Sequence, residues 1–452
     1  MSVQKKQELN KQSFGDDFQW GVATAAFQIE GSCAVDGKGA SIWDVFANKK
    51  GNIKDGHHAR TACDFYVSYQ KDIALVKKMG IPNFRFSISW SRILPHGTGK
   101  INQKGIDFYN DLIDHCLEQG IEPWPTLYHW DLPQTLEEKG GWTNREIVAW
   151  FSEYVSICAT HFGDRIKHWM VMNEPMVFTG AGYFMGVHAP GRKGLKNFLP
   201  AVHHAILSIA EGGRVLKAAF PDALIGTTFS CTHVTPFSSA KKDVAAADRA
   251  DILFNRLFIE PLLGLGYPVD DIPVLKKIQR YFYPGDEDKM SFDFDFIGIQ
   301  NYTREVIRYS LLTPYLHAQI VRADRRDVPT TTMKWEVYPP AIYHMLKKFS
   351  AYPQIKEIYV TENGAAFEDA VSEDGTVNDP RRLNYLKDHI AQVLKAKDEG
   401  VNVKGYFVWT LTDNFEWAEG YHPRFGLVYV DFNTQQRIIK SSGQWYADFL
   451  KG

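Results

Sequence analysis

One arrangement recurs along this chain and restricts what it can fold into. A helical stretch with one apolar face ends at a glycine, an apolar residue follows, and a short β-like run ends in aromatic residues. Phe65, Tyr69, Ile73 and Val76 share a face that stops at Gly80, and residues 81–90 (IPNFRFSISW) follow. Ile106, Tyr109, Ile113 and Cys116 lead to Gly120 and then to IEPWPTLYHW. Leu383, Leu386, Ile390 and Val393 lead to Gly400 and VNVKGYFVWT. The glycine reads as the residue just past a helix end, where a left-handed backbone is needed. The runs that follow are apolar at nearly every position, as strands covered on both faces are.

Strand candidates fall at 18–23, 84–89, 122–127, 169–173, 224–229, 294–299, 358–361 and 405–410. Strands alternating with helices predict a parallel sheet under helical cover. With no Pro/Gly/Ser-rich linker between the units, the expected α/β fold is a single (β/α)8 TIM barrel. The alternative is a doubly wound open sheet. Residues 14–452 are expected to form that one domain, behind a flexible tail at 1–13. The longest expected irregular segments are 230–243, 311–334 and 365–380.

Composition removes several function classes. Lys plus Arg number 51 and Asp plus Glu 53 in 452 residues, a net charge of −2 that advertises neither nucleic acid nor anionic membrane as a partner. No apolar run approaches the ~18 residues that span a bilayer. Residues 1–11 are polar and charged, without a signal-peptide apolar core. The five cysteines form no CxxC pair, so reduced thiols and a cytoplasmic location are expected. No GxGxxG or GxxxxGK[ST] follows a strand candidate, so no nucleotide cofactor is expected. The pairs His57–His58 and His203–His204 are adjacent residues that do not share a face, so no metal is expected either.

A barrel collects its chemistry at the C-terminal ends of its strands. Read in order, those ends carry Gln28 and Glu30; Arg85, Ser89 and Trp90; His129, Trp130 and Asp131; Asn173 and Glu174; Gln300, Asn301 and Tyr302; Glu362; and Trp409, Asp413, Asn414, Glu416 and Trp417. Carboxylates on the fourth and seventh strands would face each other across the mouth. Trp, Tyr, Asn, Gln and His around them suit a sugar, whose hydroxyls need forked donors and acceptors and whose C–H faces stack on indoles. One carboxyl would be held protonated to serve the glycosidic oxygen, and the other ionised. Taken singly, each motif fits turn edges, rim packing or a structural histidine as well. Their convergence on one rim is what favours the functional reading.

The longer motifs FQWGVATAAFQIEG (18–31), GKGASIWDVF (37–46), FRFSISWSRILP (84–95), LYHWDLPQTL (127–136), MNEP (172–175), VTENG (360–364) and LTDNFEWAEGYHPRFGLVYVD (411–431) occur in this order. With them the chain resembles glycoside hydrolase family 1, of the β-glucosidase type, nearly end to end. The resemblance implies that Glu174 is the acid/base and Glu362 the nucleophile. It implies that Gln28, His129, Trp130, Asn173, Trp409, Glu416, Trp417 and Phe425 hold the non-reducing sugar. Tyr302 would hydrogen-bond the nucleophile, Arg85 would support it from behind, and Trp335 would line the leaving-group subsite. One departure stands out. The family usually carries Asn where this chain has Gln300, and no role is carried over to it.

The resemblance further implies hydrolysis of terminal β-D-glucosyl residues, with β-D-galactosyl and β-D-fucosyl residues also compatible. The substrates would be small β-glucosides and short oligosaccharides such as those released from cellulose. The anomeric configuration would be retained through a covalent glycosyl-enzyme. A 6-phospho-β-glycosidase and a non-catalytic carbohydrate-binding paralogue are the alternatives.

Overall fold

The computed structural model describes residues 9–452. Thirteen strands are described: β1 (Gln19–Ala23), β2 (Asn83–Ser87), β3 (Glu122–Tyr128), β4 (His168–Asn173), β5 (Leu224–Ser230), β6 (His233–Pro236), β7 (Phe296–Gln300), β8 (Arg304–Tyr309), β9 (Ala318–Ile320), β10 (Ile358–Asn363), β11 (Val403–Trp409), β12 (Val428–Val430) and β13 (Arg437–Ile439). Eight of the described strands close a barrel in the order β1-β11-β10-β7-β5-β4-β3-β2. Every neighbouring pair is parallel. The single (β/α)8 barrel expected from the repeat is therefore the fold, and the open sheet is excluded.

The recurring glycine acts as read. Gly80, Gly120 and Gly400 have φ of 68°, 71° and 88°. Each ends a helix, Phe65–Lys78, Gln103–Glu118 and Pro380–Asp398 respectively. In all three the following residue (Ile81, Ile121 or Val401) donates its N–H back to the carbonyl five positions earlier, at 2.8–3.1 Å. That pattern satisfies the orphan carbonyls of the last turn and turns the chain towards the barrel. The donating residue is itself buried, so cap and core entry are one step.

Inside the barrel, Trp124, Met170, Phe296, Tyr359 and Phe407 pack together and continue upward to Trp409 and Phe425. The Trp124 indole stacks on His168 at 3.8 Å between centroids and donates to Asn83 Oδ1 at 2.9 Å. Truncating such a ring to alanine costs ~3–5 kcal/mol. This stack fills the lower barrel and leaves the upper end for the site.

Two expectations need adjustment. Residues 1–8 of the expected tail lie outside the described residues, but the tail does not extend to 13. Lys11–Phe14 form a 3-10 turn in which the Ser13 N–H donates to Asn10 Oδ1, and Lys11 Nζ donates to Leu450 O at 3.1 Å. Phe14 buries against Phe18 and Trp20, which gives the turn its anchor. Segments 230–243 and 311–334 are also not wholly irregular. They supply β6 and β9, which sandwich β8 in a small sheet over the mouth. These strands are short and half-buried, and a run such as REVIRY has no clean alternation to announce it.

Candidate active site

The loops after the barrel strands surround a cavity of about 350 Å³, within the range of small-molecule sites. Its wall includes His129, Trp130, Glu174, Tyr302, Trp335, Glu362, Trp409, Glu416, Trp417 and Phe425, ten of the residues expected from sequence. The other three, Gln28, Arg85 and Asn173, are fully buried and each bonds a wall residue.

Glu362 is the penultimate residue of β10 and Glu174 directly follows β4. Glu174 has φ 44° and ψ 63°, a left-handed backbone that a side-chain-bearing residue adopts under strain. Its N–H is tied to Thr228 O at 3.0 Å, and Pro175 starts a short helix immediately after. Trp130 (φ 78°) and Trp417 (φ 46°) share this conformation. Three walls of one cavity are thus aimed by strained backbone.

Glu362 is gripped from two sides. Arg85 Nη1 donates to Oε1, and the Tyr302 hydroxyl donates to Oε2 at 2.5 Å. Arg85 also reaches Thr126 Oγ1 at 3.2 Å, Met170 Sδ at 3.0 Å, Thr361 O at 3.3 Å and Asn173 Oδ1 at 2.6 Å. Burial lifts the Glu362 carboxyl above its ordinary value, while Arg85 and Tyr302 hold it down. Glu174 is lifted much further, by burial first and then by the charge of Glu362, against a Ser230 hydrogen bond. The pair therefore shares its proton unequally, and Glu174 holds it.

Asn173 sets a second chain of consequences. Its Oδ1 accepts from Arg85 and from Thr228 Oγ1 at 2.9 Å, so its Nδ2 faces His129 Nε2 at 3.0 Å. Burial and the nearby Arg85 charge keep His129 neutral, well below its usual titration range. Nε2 accepts, so the proton sits on Nδ1, which is buried without a protein partner. A donor is left pointing at no protein group. Gln28 mirrors this. Its nitrogen serves Phe415 O at 3.0 Å and Glu416 Oε2 at 3.3 Å, while its Oε1 is buried and unpartnered. Burial, then the charge of Glu362, pushes the Glu416 carboxyl up to about 8.

The aromatic wall divides in two. Trp417 packs against Trp130 and Trp43, each at 4.6 Å between centroids. Tyr302, Trp335 and Phe425 form the opposite group, with centroids 5.4–6.2 Å apart. The Trp130 indole N–H is spent on Asn173 O at 3.0 Å, so only its ring is offered to a ligand.

Several strand-end candidates lie outside the site. Glu30 is taken by Arg92 at 2.9 Å and Tyr109 at 2.5 Å. Asp413 accepts from Lys440 at 2.6 Å and Arg424 at 2.7 Å. Both His pairs have structural partners: His203 with Asp286 at 2.8 Å and His204 with Trp142 O at 2.9 Å, while His57 Nδ1 accepts from Tyr421 N–H at 3.1 Å. Among the described residues no group of three His, Cys, Asp or Glu could hold a metal. The cavity also uses residues the sequence did not single out. His188 stands beside Trp43 and Trp130, and Glu305, pushed up to about 7 by burial, sits on the Trp335 side. Neither belongs to a recognisable motif; His188 arrives on a loop and Glu305 on the short strand β8.

A family model described as Glycosyl hydrolase family 1 matches residues 10–452. The chain belongs to glycosyl hydrolase family 1. It is 45% identical to beta-glucosidase A of Thermotoga maritima over 98% of this chain and 99% of that one. It is 46% identical to 1,4-beta-D-glucan glucohydrolase of Thermotoga neapolitana, covering 97% of this chain and 98% of that one. Among solved structures, a family 1 β-glucosidase from Thermotoga maritima superposes with a TM-score of 0.93, at 45% identity, over 97% of this chain and 98% of that one. MNEP spans the end of β4 and VTENG the end of β10, three strands apart around the barrel. Among the described residues no helix is long and apolar enough to cross a membrane.

Proposed function

We propose that this chain is a retaining β-glucosidase acting on small neutral β-glucosides and short β-linked oligosaccharides. The observation that carries the reading is an unequal carboxyl pair lining one cavity: Glu174, which burial and the charge of Glu362 push towards the protonated form, and Glu362, clamped by Arg85 and Tyr302. Glu174 gives its proton to the glycosidic oxygen as Glu362 attacks the anomeric carbon and the aglycone leaves. Glu362 loses its charge in the ester, so Glu174 then falls in pKa and takes a proton from the incoming water. Retention requires the carboxyls ~5–5.5 Å apart, against ~6.5–9.5 Å for inversion.

The same reading gives the other residues their work. Asn173 serves the 2-hydroxyl, where hydrogen bonds strengthen in the transition state. The free His129 Nδ1–H, Gln28 Oε1 and the Glu416 carboxyl take the more distant hydroxyls. Trp409 gives the ring an apolar floor, Trp417 adds an indole N–H donor, Trp130 and Phe425 close the pocket, and Trp335 meets the leaving group. Tyr302 and Arg85 hold the nucleophile. Residues 14–452 act as one catalytic domain. The five unpaired cysteines support a cytoplasmic location.

A phosphorylated sugar fits less well. Among the described residues the cavity wall carries no Lys or Arg, and Glu416 is an acid where a phosphate would need a cation. Hydrolysis of p-nitrophenyl β-glucoside, its 6-phosphate and the galactoside, with the first product followed by NMR, tests the reading. Turnover confined to the 6-phosphate, or an inverted anomer, overturns it.

A further inference from the structure

Glu362 has a third donor that the roles above leave unused. Gln300 closes β7 and is fully buried. Its amide nitrogen donates to Glu362 Oε1 and to Asn173 Oδ1, both at 2.8 Å. Thr228 Oγ1 is 3.2 Å away, but that hydroxyl itself donates to Asn173. An amide nitrogen carries two hydrogens, and the two short contacts use both. The flipped amide would set its oxygen against two acceptors, so one orientation is fixed. Its carbonyl oxygen is left buried without a partner among the described residues. A buried unpaired carbonyl is unfavourable, so the side chain is held here by what its nitrogen does.

The outcome is an unequal carboxylate. Among the described residues, Oε1 accepts from Arg85 and Gln300, whereas Oε2 accepts only from Tyr302. The geometry points to Gln300 as a positioning residue that fixes Oε1 as the spectator oxygen of Glu362, leaves Oε2 to attack, and locks this carboxylate to Asn173. The inference rests on Glu362 being the nucleophile. In the first step an Oε2 lone pair forms the bond to the anomeric carbon. The bond to the aglycone breaks, and its electron pair goes to the oxygen that takes the proton of Glu174. Oε1 becomes the ester carbonyl and keeps both donors. In the second step water attacks the anomeric carbon while giving its proton to Glu174. The C–Oε2 bond breaks and its pair returns to the carboxylate, where Arg85 and Gln300 meet the charge on Oε1. Gln300 thus makes Glu362 a better leaving group as well as a weaker base.

The other charged or titratable groups acting on or acted on by Glu362 are Arg85 from β2, Tyr302 after β7, Glu174 after β4 and Glu416 after β11; the neutral His129 after β3 shares the cavity wall. Gln300 adds a donor among them without adding charge. Its loss should therefore move a titration and a rate without changing the charge balance.

The test uses the full-length enzyme and 2,4-dinitrophenyl 2-deoxy-2-fluoro-β-glucoside, which traps the glycosyl-enzyme. Wild-type enzyme should be labelled at Glu362. In Gln300→Met the acid limb of kcat/KM should rise by about one pH unit, and reactivation of the trapped enzyme should slow about tenfold. Gln300→Asn keeps the amide but withdraws it by one methylene, and should move both readouts the same way by less; it also serves if the Met variant does not fold. Label on another residue of the wild type overturns the nucleophile assignment and this inference with it. Label on Glu362, with both readouts unchanged in a folded variant, overturns the Gln300 inference alone.

Discussion

The Tyr302 hydroxyl donates to Glu362 Oε2 at 2.5 Å, and the Tyr302 carbonyl is itself held by the Tyr385 hydroxyl at 2.9 Å. Burial, and then the charge of Glu362, keeps the phenol protonated far above neutral pH, so it remains a donor. A hydrogen bond to a buried charge contributes ~1.5–3 kcal/mol. Tyr302→Phe should lower kcat/KM by ~10–100-fold and raise the acid limb of its pH profile. A variant with an unmoved acid limb would separate Tyr302 from the ionisation of Glu362.

Glu174→Gln should discriminate between leaving groups. With an alkyl or sugar aglycone, which needs a proton, the loss in kcat/KM should be on the order of 10²–10⁴. With dinitrophenolate it should be small. The lifted pKa of Glu174 also gives a sign. Wild-type activity should hold while Glu174 is protonated and fall as pH rises through its raised value. The variant should lack that alkaline limb, and equal losses on both substrates would count against the acid role.

Glu416→Gln removes an acceptor from the inner end of the pocket while keeping its shape. KM for β-glucosides should rise by ~10–100-fold, with a smaller change for glycosides lacking the distal hydroxyls. Isothermal titration with a neutral glucose-like inhibitor should show the same loss of affinity. An unchanged KM would remove Glu416 from the list of sugar-binding groups.

Lys440→Met tests the fold rather than the chemistry. Lys440 is fully buried between Asp369 and Asp413, at 2.5 and 2.6 Å, beside Arg382 and Arg424. Removing one partner from such a cluster costs ~3–5 kcal/mol, readable by urea unfolding. Burial works against the Asp413 carboxylate, but Lys440, Arg424 and Arg382 hold its pKa below the ordinary value. Its stabilisation is present above the unfolded-state pKa near ~3.9 and is lost as pH falls through the lower folded value. The variant should therefore begin acid unfolding at a higher pH than wild type.

The barrel was legible because its punctuation is local. A Gly80-type cap and a doubly buried strand each leave their mark within about ten residues. The cavity wall was legible where a motif carries it, as with Glu174 in MNEP and Trp417 in FEWAEG. Gln300 could be noticed in the sequence but not given work, since its partners Asn173 and Glu362 lie 127 and 62 residues away. Glu305 and His188 carry no spacing signal, because a loop places His188 and the short strand β8, without clean alternation, places Glu305. Glu30 shows the converse. Its position at a strand end suggested chemistry, yet Arg92 and Tyr109 consume it.

Arg85 touches β3 through Thr126, β4 through Met170 and Asn173, and β10 through Thr361 and Glu362. One side chain from β2 thus reads positions on three other strands. Fragments of two related barrels cannot be exchanged freely between β2 and β10. A chimaera that breaks within this span must inherit matching partners for one guanidinium, or it will fold around a misdirected Glu362 carboxylate. Crossovers before β2 or after β10 leave that set of contacts intact, and recombined enzymes should survive preferentially there.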